Sequence, residues 1–252
     1  MLASFEDPVL AAEPEAPLLD FTTAQSLERR LLDAAALRGF GCDWAVWRTH
    51  QALIVPSQTA NAAGFHVASR EMLARGWPVY VRDTGGDVTP QSPGIINASA
   101  AFVLPRTADL SIRATYQQFC EPLVAFLRTV GIDAYLSSVP GAFCDGAFNI
   151  VVGGRKLAGT AQRWRLTRTC DGDPAVAVLA HAAILADPDI DRSIAATNLF
   201  YRLCGESREV DTARHTSLAM LLKTAQTSAH GLSQRLSDYL AQQSTPALSP
   251  AG

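Results

Sequence analysis

Residues 141–163 read Gly-Ala-Phe-Cys-Asp-Gly-Ala-Phe-Asn-Ile-Val-Val-Gly-Gly-Arg-Lys-Leu-Ala-Gly-Thr-Ala-Gln-Arg. Residues 147–152 form a short aromatic and β-branched run, Gly153-Gly154 is a two-residue turn that tolerates positive φ, and residues 156–163 can return as the paired strand. The stretch therefore predicts a β-hairpin, with Cys144 just before its first strand and Lys156 opening its second. That arrangement lets the two side chains meet, although they are distant in sequence. A thiol near an ammonium is a candidate nucleophile, because positive charge favours the reactive thiolate. Most free cysteines are inert packing, however, and a lysine after a tight turn is ordinarily solvated. From spacing alone both readings stand.

Working outward, the composition bounds the classes. The chain has 252 residues, 48% of them apolar and 18% charged. That is enough to bury a large core in one domain, with no long polar tract of the kind that stays disordered. The net charge of −3 gives nucleic-acid binding no electrostatic footprint. No run approaches the ~20 apolar residues of a membrane span, so no membrane partner is expected. Five cysteines, Cys42, Cys120, Cys144, Cys170 and Cys204, are odd in number, widely spaced and free of any C-x-x-C pair. Neither a disulfide framework nor a zinc site follows, and a reducing cytoplasm is the expected location. One strip is locally basic: Arg155, Lys156, Arg163, Arg165 and Arg168, with no acid among them. It reads either as a solvated strand face or as a landing patch for an acidic carrier.

In chain order, residues 1–19 are expected to form an irregular leader. Residues 20–25 read as a helix start, with Thr22 and Gln25 spaced as a capping box, Leu27, Leu31, Leu32 and Ala35 on one face, and Gly39 as the stop. Strand-like stretches follow at 44–48 and 52–55, with Trp44 read as core. A helix over 66–75 leads to a strand over 78–82 that runs into Asp83-Thr84-Gly85-Gly86. Such a turn lets main-chain amides approach a ligand closely. Residues 95–104 predict a buried strand. A long helix opens at Asp109 or Ser111 and carries Ile112, Tyr116, Phe119, Leu123, Phe126, Leu127 and Val130 at helical spacing, with Pro122 inside it. Cys120 belongs to that helix and reads as inert. Residues 175–186 predict a strand holding His181, read as a hydrogen-bonded core histidine and left outside the site. Helices ending near 203 and spanning 231–243 complete a single α/β (α+β) domain over residues 20–243, with a mixed sheet flanked by helices and a flexible tail over 244–252.

Three segments carry a resemblance. Gly154-Arg155-Lys156-Leu157-Ala158-Gly159-Thr160-Ala161-Gln162 resembles the signature of the lipoate and octanoate attachment family. Arg82-Asp83-Thr84-Gly85-Gly86 resembles that family's Arg-x-Thr/Ser-Gly-Gly loop, and Gly94-Ile95-Ile96-Asn97-Ala98-Ser99 the segment after it. Cys144-Asp145-Gly146-Ala147-Phe148 followed by Lys156 is most similar to the cysteine-dependent lipoyl and octanoyl amidotransferase branch. The resemblance implies the fold of lipoate-protein and biotin-protein ligase catalytic domains. It also implies Cys144 and Lys156 as catalytic residues and Trp47, Arg82, Thr84, Gly85, Gly86, Asn97, Gly159 and Thr160 as substrate-binding ones. Two departures stand out: Asp87 replaces the ligases' third glycine, and Gln91-Ser92 replace their His-Asp pair. A carboxylate pointed into a phosphate cradle would repel ATP, which argues against a ligase.

The function so implied is transfer of an octanoyl or lipoyl group onto a carrier lysine through a Cys144 thioester, with Lys156 and amides near Gly85 and Gly86 stabilising the oxyanion. It requires no cofactor. The alternative is a lipoate-protein ligase using ATP and Mg, and a third reading is a non-catalytic carrier-binding protein. The partners implied are lipoyl-domain proteins, namely the H protein of glycine cleavage and E2 subunits of 2-oxoacid dehydrogenases, with acyl carrier protein as a further candidate.

Overall fold

The computed structural model describes residues 18–82, 86–107, 110–222 and 228–242. Its elements run α1 (Phe21–Arg38), β1 (Cys42–Trp47), β2 (Ala52–Pro56), α2 (Phe65–Ala74), β3 (Val79–Arg82), β4 (Thr89–Gln91), β5 (Ile95–Pro105), α3 (Ile112–Thr129), β6 (Tyr135–Ser137), β7 (Asn149–Val152), β8 (Arg155–Arg168), β9 (Pro174–Leu185), α4 (Ile190–Leu203), α5 (Leu218–Leu222) and α6 (Ala229–Gln242). The expected hairpin is β7–β8, turned by Gly153 and Gly154 at φ 55° and 75°. Only a residue without Cβ takes both positions at little cost.

Six strands form an antiparallel sheet in the order β1-β5-β9-β8-β7-β6, and three form a smaller sheet in the order β3-β2-β4. The expected mixed pairing lies in the small sheet, where β2 is parallel to β3 and antiparallel to β4. The parallel pair is joined through α2, as a parallel connection requires a crossover.

Side-chain alternation decides what each face of the large sheet meets. On β5 and β9 the even-numbered residues, among them Ile96, Ala98, Phe102, Val176, Val178 and Ile184, pack with Phe119, Leu123 and Leu127 of α3 and Leu232, Leu236 and Leu240 of α6 in the main core. The odd-numbered Ala101, Val103, Ala175, Ala177 and Leu179 pack under Leu32 and Ala35 of α1. Because both faces are covered, these strands are apolar throughout rather than alternating with polar residues. Farther along the same odd face, Asn97, Ser99, His181 and Ala183 lie beyond the reach of the α1 core, and there a cavity opens.

Most elements lie within a few residues of their predicted positions, and the deviations have local causes. Helix α1 is capped by Asp20, whose carboxylate accepts from Thr23 N at 2.9 Å, so Thr22 is not the cap. Gln25 turns instead to the small sheet and donates to the Val81 carbonyl at 3.3 Å. The buried stripe of α1 is Phe21, Ala24, Leu32 and Ala35, while Leu27 and Leu31 stay half-buried. Of the two expected openers of α3, Ser111 caps the helix by accepting from Ala114 N at 3.1 Å, and Asp109 lies outside the described residues. Of the expected leader, Leu19 already bridges to Thr49 in parallel, and residues 1–17 lie outside the described residues. The expected tail also falls outside them.

Candidate active site

Residues 139–149 make a closed loop between β6 and β7. The Asp145 carboxylate accepts from Val139 N at 2.7 Å and Asn149 Nδ2 at 2.6 Å, which draws the two ends together. Inside this loop Cys144 stands at φ 42°, the single non-glycine residue at positive φ among the described residues. A left-handed conformation costs a β-carbon residue on the order of 1–3 kcal/mol and persists only where neighbours impose it. Lys156 does so from the facing strand. Its Nζ donates to the carbonyls of Phe143 at 2.7 Å and Cys144 at 2.8 Å, and lies 4.7 Å from the Phe143 ring centroid. On its other flank Phe143 stacks on His215 at 4.7 Å and donates its N–H to His215 Nε2 at 3.2 Å.

Lys156 is completely buried. A buried ammonium needs acceptors to offset lost hydration; two carbonyls and an aromatic face supply them here. Burial pushes its pKa down to about 8, against the opposing pull of Cys144, Asp145 and Asp87. The group can therefore lose and regain a proton near neutrality. A register shift between Ile150 and Val151 against β8 accompanies this placement, and Gly159 completes it. A Cβ there would sit 3.0 Å from Lys156 Nζ and 3.1 Å from Cε.

The thiol itself meets donors. Cys144 Sγ lies 3.4 Å from Asp87 N and 3.7 Å from Arg82 Nη2. Burial raises the thiol's pKa, but the charges of Arg82 and Lys156, the Asp87 amide and the Thr89 hydroxyl outweigh it and hold the group below the ordinary thiol value. Gly86, at φ 101°, makes room, since a Cβ there would lie 2.9 Å from Sγ. His215 is neutral in this setting. Burial, then the Lys156 charge, brings its pKa down to about 4, and its two nitrogens serve as acceptor from Phe143 N and partner of the Asp211 carbonyl at 3.0 Å.

Cys144 and Lys156 open onto a cavity of about 130 Å³ between α1, the odd face of the large sheet and the small sheet. Phe21, Leu32, Ile54, Leu179 and Ala183 give it apolar walls, while Arg29, Arg82 and Arg163 add cationic groups. Away from the thiol, Trp47, Glu28 and His181 line it with a polar cluster around Ser99. Trp47 Nε1 donates to Ser99 Oγ at 3.1 Å, Ser99 donates to Glu28 Oε1 at 2.7 Å, and His181 Nδ1 is 2.9 Å from the same oxygen. Burial raises the Glu28 pKa, but His181 and Ser99 outweigh it and keep the carboxylate ionised.

Of the residues singled out from sequence, Cys144, Lys156, Trp47, Arg82, Gly159 and Thr160 line this one cavity. Gly86 sits against the thiol without lining the space. Asn97 is fully buried and closed on Gln91 by reciprocal hydrogen bonds of 3.0 and 3.1 Å, so Gln91, not Asn97, faces the cavity. Thr84 and Gly85 lie outside the described residues, and the amide that meets the thiol belongs to Asp87. Two expectations are corrected. The Asp87 carboxylate pairs with Arg208, and Asp87 does not line the cavity. The basic strip is no single face: Lys156 is buried, Arg163 turns into the cavity, Arg165 pairs with Asp33 at 2.6 Å, and Arg168 donates to the Gly172 carbonyl. Sequence reasoning missed Glu28 and left out His181, which is hydrogen-bonded as expected yet also lines the cavity. The available signal was an acid at position 28, in helical register with Phe21, Gln25 and Leu32.

Comparison with known proteins places the fold. The model of the lipoyl protein ligase A/B catalytic domain matches residues 20–239. An uncharacterised protein of Cupriavidus necator is 33% identical over 181 residues, covering 69% of this chain and 71% of that protein. An octanoyl-[GcvH]:protein N-octanoyltransferase of Kyrpidia tusciae is 35% identical over 147 residues, 58% of this chain, and the match spans only 50% of that relative's length. Among solved structures, lipoate-protein ligase A bound with ATP superposes with a TM-score of 0.59 at 21% identity, covering 89% of this chain and 84% of that one. A bipartite lipoate protein ligase of Thermoplasma acidophilum, studied with its E2 lipoyl domain, gives 0.55 at 22% identity over 89% and 82%. The two structures share the fold. With the family model matched across nearly all of the described chain, this protein belongs to the lipoyl protein ligase A/B catalytic domain family.

Proposed function

We propose that this protein is an acyltransferase that moves an octanoyl or lipoyl group from one carrier protein to a lysine of another through a thioester on Cys144. The observation that carries the reading is a thiol held between Arg82, Lys156 and the Asp87 amide at the edge of a largely apolar cavity. The Cys144 thiolate attacks the acyl carbonyl carbon of the donor amide, and Lys156 faces the oxyanion that develops. Collapse breaks the C–N bond, and the donor lysine leaves as an amine carrying the proton that the thiol gave up, with Lys156 suited to relay it at a pKa of about 8. The acceptor lysine then attacks the thioester and restores the thiol. Moving an acyl group from one amide to another breaks and forms equivalent bonds and needs no nucleotide. Burying an eight-carbon chain contributes up to ~5 kcal/mol at about 0.8 per methylene.

The relatives named octanoyl-[GcvH]:protein N-octanoyltransferase support a lipoyl-domain protein of the H type as one carrier, with E2 lipoyl domains and acyl carrier protein as the others. No helix among the described residues is long and apolar enough to cross a membrane. A reducing cytoplasm, which keeps Cys144 a free thiol, suits the chemistry.

One observation favours a second reading, ATP-dependent attachment through an acyl-adenylate with Mg. Because Arg208 takes up the Asp87 carboxylate, Arg29, Arg82, Lys156 and Arg163 outnumber Glu28 along the cavity wall, a balance that suits a polyphosphate. Intact mass spectrometry separates the two. After incubation with octanoylated carrier and no nucleotide, the wild type gains one hydroxylamine-sensitive octanoyl group and Cys144→Ala gains none. Carrier modification that needs ATP and free acid, and survives Cys144→Ala, would overturn the thioester reading.

A further inference from the structure

The segment between α4 and α5 straps the site from outside the cavity. Asp211 N donates to the Gly141 carbonyl at 2.9 Å, Thr216 N to the Lys156 carbonyl at 3.0 Å, and His215 holds Phe143. Near the start of the strap, Arg208 makes three contacts. Its Nη1 pairs with Asp87 Oδ1, its Nε with Glu206 Oε2 at 2.6 Å, and its guanidinium lies 4.2 Å from the ring of Tyr201, which is buried in α4. Asp87 in turn engages partners through three different groups, its carbonyl also accepting from Thr89 Oγ1 at 3.4 Å. Its N–H meets Cys144 Sγ at 3.4 Å, its carbonyl accepts from Arg82 Nη2 at 2.8 Å, and its carboxylate goes to Arg208.

We propose that Arg208 is a positioning residue: by anchoring the Asp87 carboxylate outside the cavity, it fixes the Asp87 main-chain N–H on Cys144 Sγ and keeps a negative charge away from the thiolate. The inference rests on the reading of Cys144 as the nucleophile. Arg208 neither lines the cavity nor touches the thiol, so its influence runs through Asp87. Two effects of the anchor act in the same direction. A main-chain N–H aimed at sulfur stabilises the thiolate. An unanchored carboxylate would be free to swing toward Arg82 and Lys156, weakening the two cations that lower the thiol's pKa. The other titratable groups around the thiol are Arg82 from β3, Lys156 from β8, Tyr116 from α3 and the adjacent Asp145, and none of them contacts Arg208. The Glu206 and Tyr201 contacts give the guanidinium a fixed seat, which suits an anchor better than a lone surface ion pair.

The test is the rate of Cys144 alkylation by iodoacetamide from pH 5 to 10, read by peptide mass spectrometry on the full chain with no carrier present. Arg208→Ala is expected to move the inflection up by half to one pH unit and to slow alkylation on the acid side about three- to tenfold. Arg208→Lys, which restores a cation to Asp87, should recover most of the loss. In an Asp87→Asn background, removing Arg208 should add nothing. The Arg208 side chain is 42% exposed, so the variant is expected to fold; if Arg208→Ala melts, Arg208→Gln carries the same comparison. A profile unchanged in the variant, or a shift of equal size in the Asp87→Asn background, would overturn the proposal. Because this readout needs no acyl donor, it can fail while an octanoyl adduct still forms on the wild type. Equally, it can hold where no adduct ever appears.

Discussion

Cys144 and Cys120 are both largely enclosed thiols, and their surroundings drive them in opposite directions. Cys120 sits in α3 with no exposure, amid Phe119, Leu123 and Val124. Burial alone pushes its pKa up to about 12. Cys144 meets the same burial penalty, but Arg82, Lys156, the Asp87 amide and the Thr89 hydroxyl more than cancel it. A regular helix cannot turn main-chain amides toward a side chain of its own interior, because those amides are spent on the helical ladder. A loop at positive φ, facing a strand that carries a buried lysine, can. The lowered thiol pKa at Cys144 thus comes from irregular backbone braced by a rigid sheet, and not from burial or from cysteine as such.

The comparison breaks most sharply at Cys144 itself. Replacing it with Ala is expected to reduce carrier-to-carrier octanoyl transfer by at least ~10³-fold, as measured by gel-shift or mass of the acceptor, since loss of a covalent nucleophile leaves only positioning and binding. The fold should remain, because Ala relieves nothing that Lys156 holds. Lys156→Met comes next. It leaves the carbonyls of Phe143 and Cys144 without their donor, frees the Cys144 loop and removes a cation from the thiol. Transfer is expected to fall ~10²-fold, with a loss of about 1–3 kcal/mol in stability from the unpaired buried carbonyls. An unchanged urea midpoint would show that the loop holds its shape without the lysine.

Acid should separate the two regions without any substitution. His215 has a folded pKa near 4, below the ~6.5 of an unfolded histidine. The unfolded chain therefore takes up this proton first. Stability from neutral His215 is complete above about pH 6.5 and is lost as pH falls toward 4, at most on the order of 3 kcal/mol. Amide exchange near pH 5 should quicken over residues 141–146, which lean on His215 through Phe143, well before it quickens over α3. Equal protection of both regions at that pH would rule out His215 as the sensitive point.

How much of this contrast was legible beforehand follows from how far each interaction reaches along the chain. The β7–β8 hairpin announced itself through Gly153-Gly154 between β-branched runs, and α3 through its apolar period, because both are decided within a few residues. The meeting of Cys144 and Lys156 was readable for the same reason, once the hairpin brought the second strand back toward the loop. By contrast, Glu28, Ser99, Trp47 and His181 converge from α1, β5, β1 and β9; no local pattern marks such a cluster. The same holds for Asp87, whose carboxylate finds Arg208 far along the chain, and for Asn97, whose amide is consumed by Gln91. The basic strip misled because its members part company in the fold: Lys156 goes to the interior beside a register shift, Arg165 is taken by Asp33, and alternation puts Arg168 on the face opposite Arg163 and Arg165. Asp20 took the cap from Thr22 because a carboxylate two residues ahead competes for the same free amides.

The smallest expected effect is the control that gives the comparison its meaning. Cys120→Ala removes one sulfur from a close-packed core, which costs about 1 kcal/mol, or roughly 2–4 °C in Tm for a chain of this size. Octanoyl transfer and the pH profile of Cys144 alkylation should not move: Tyr116 lies within electrostatic reach of both thiols, but Cys120, pushed up to about 12, stays neutral across that profile and transmits no charge. In the wild type, alkylation of Cys120 requires the core to open. Its rate should therefore rise with urea in step with unfolding, while Cys144 reacts at full speed in the native state and gains little from denaturant. If Cys120 were alkylated in native buffer as fast as Cys144, exposure rather than the Arg82–Lys156–Asp87 environment would be setting thiol reactivity, and the difference between the two regions would lose its cause.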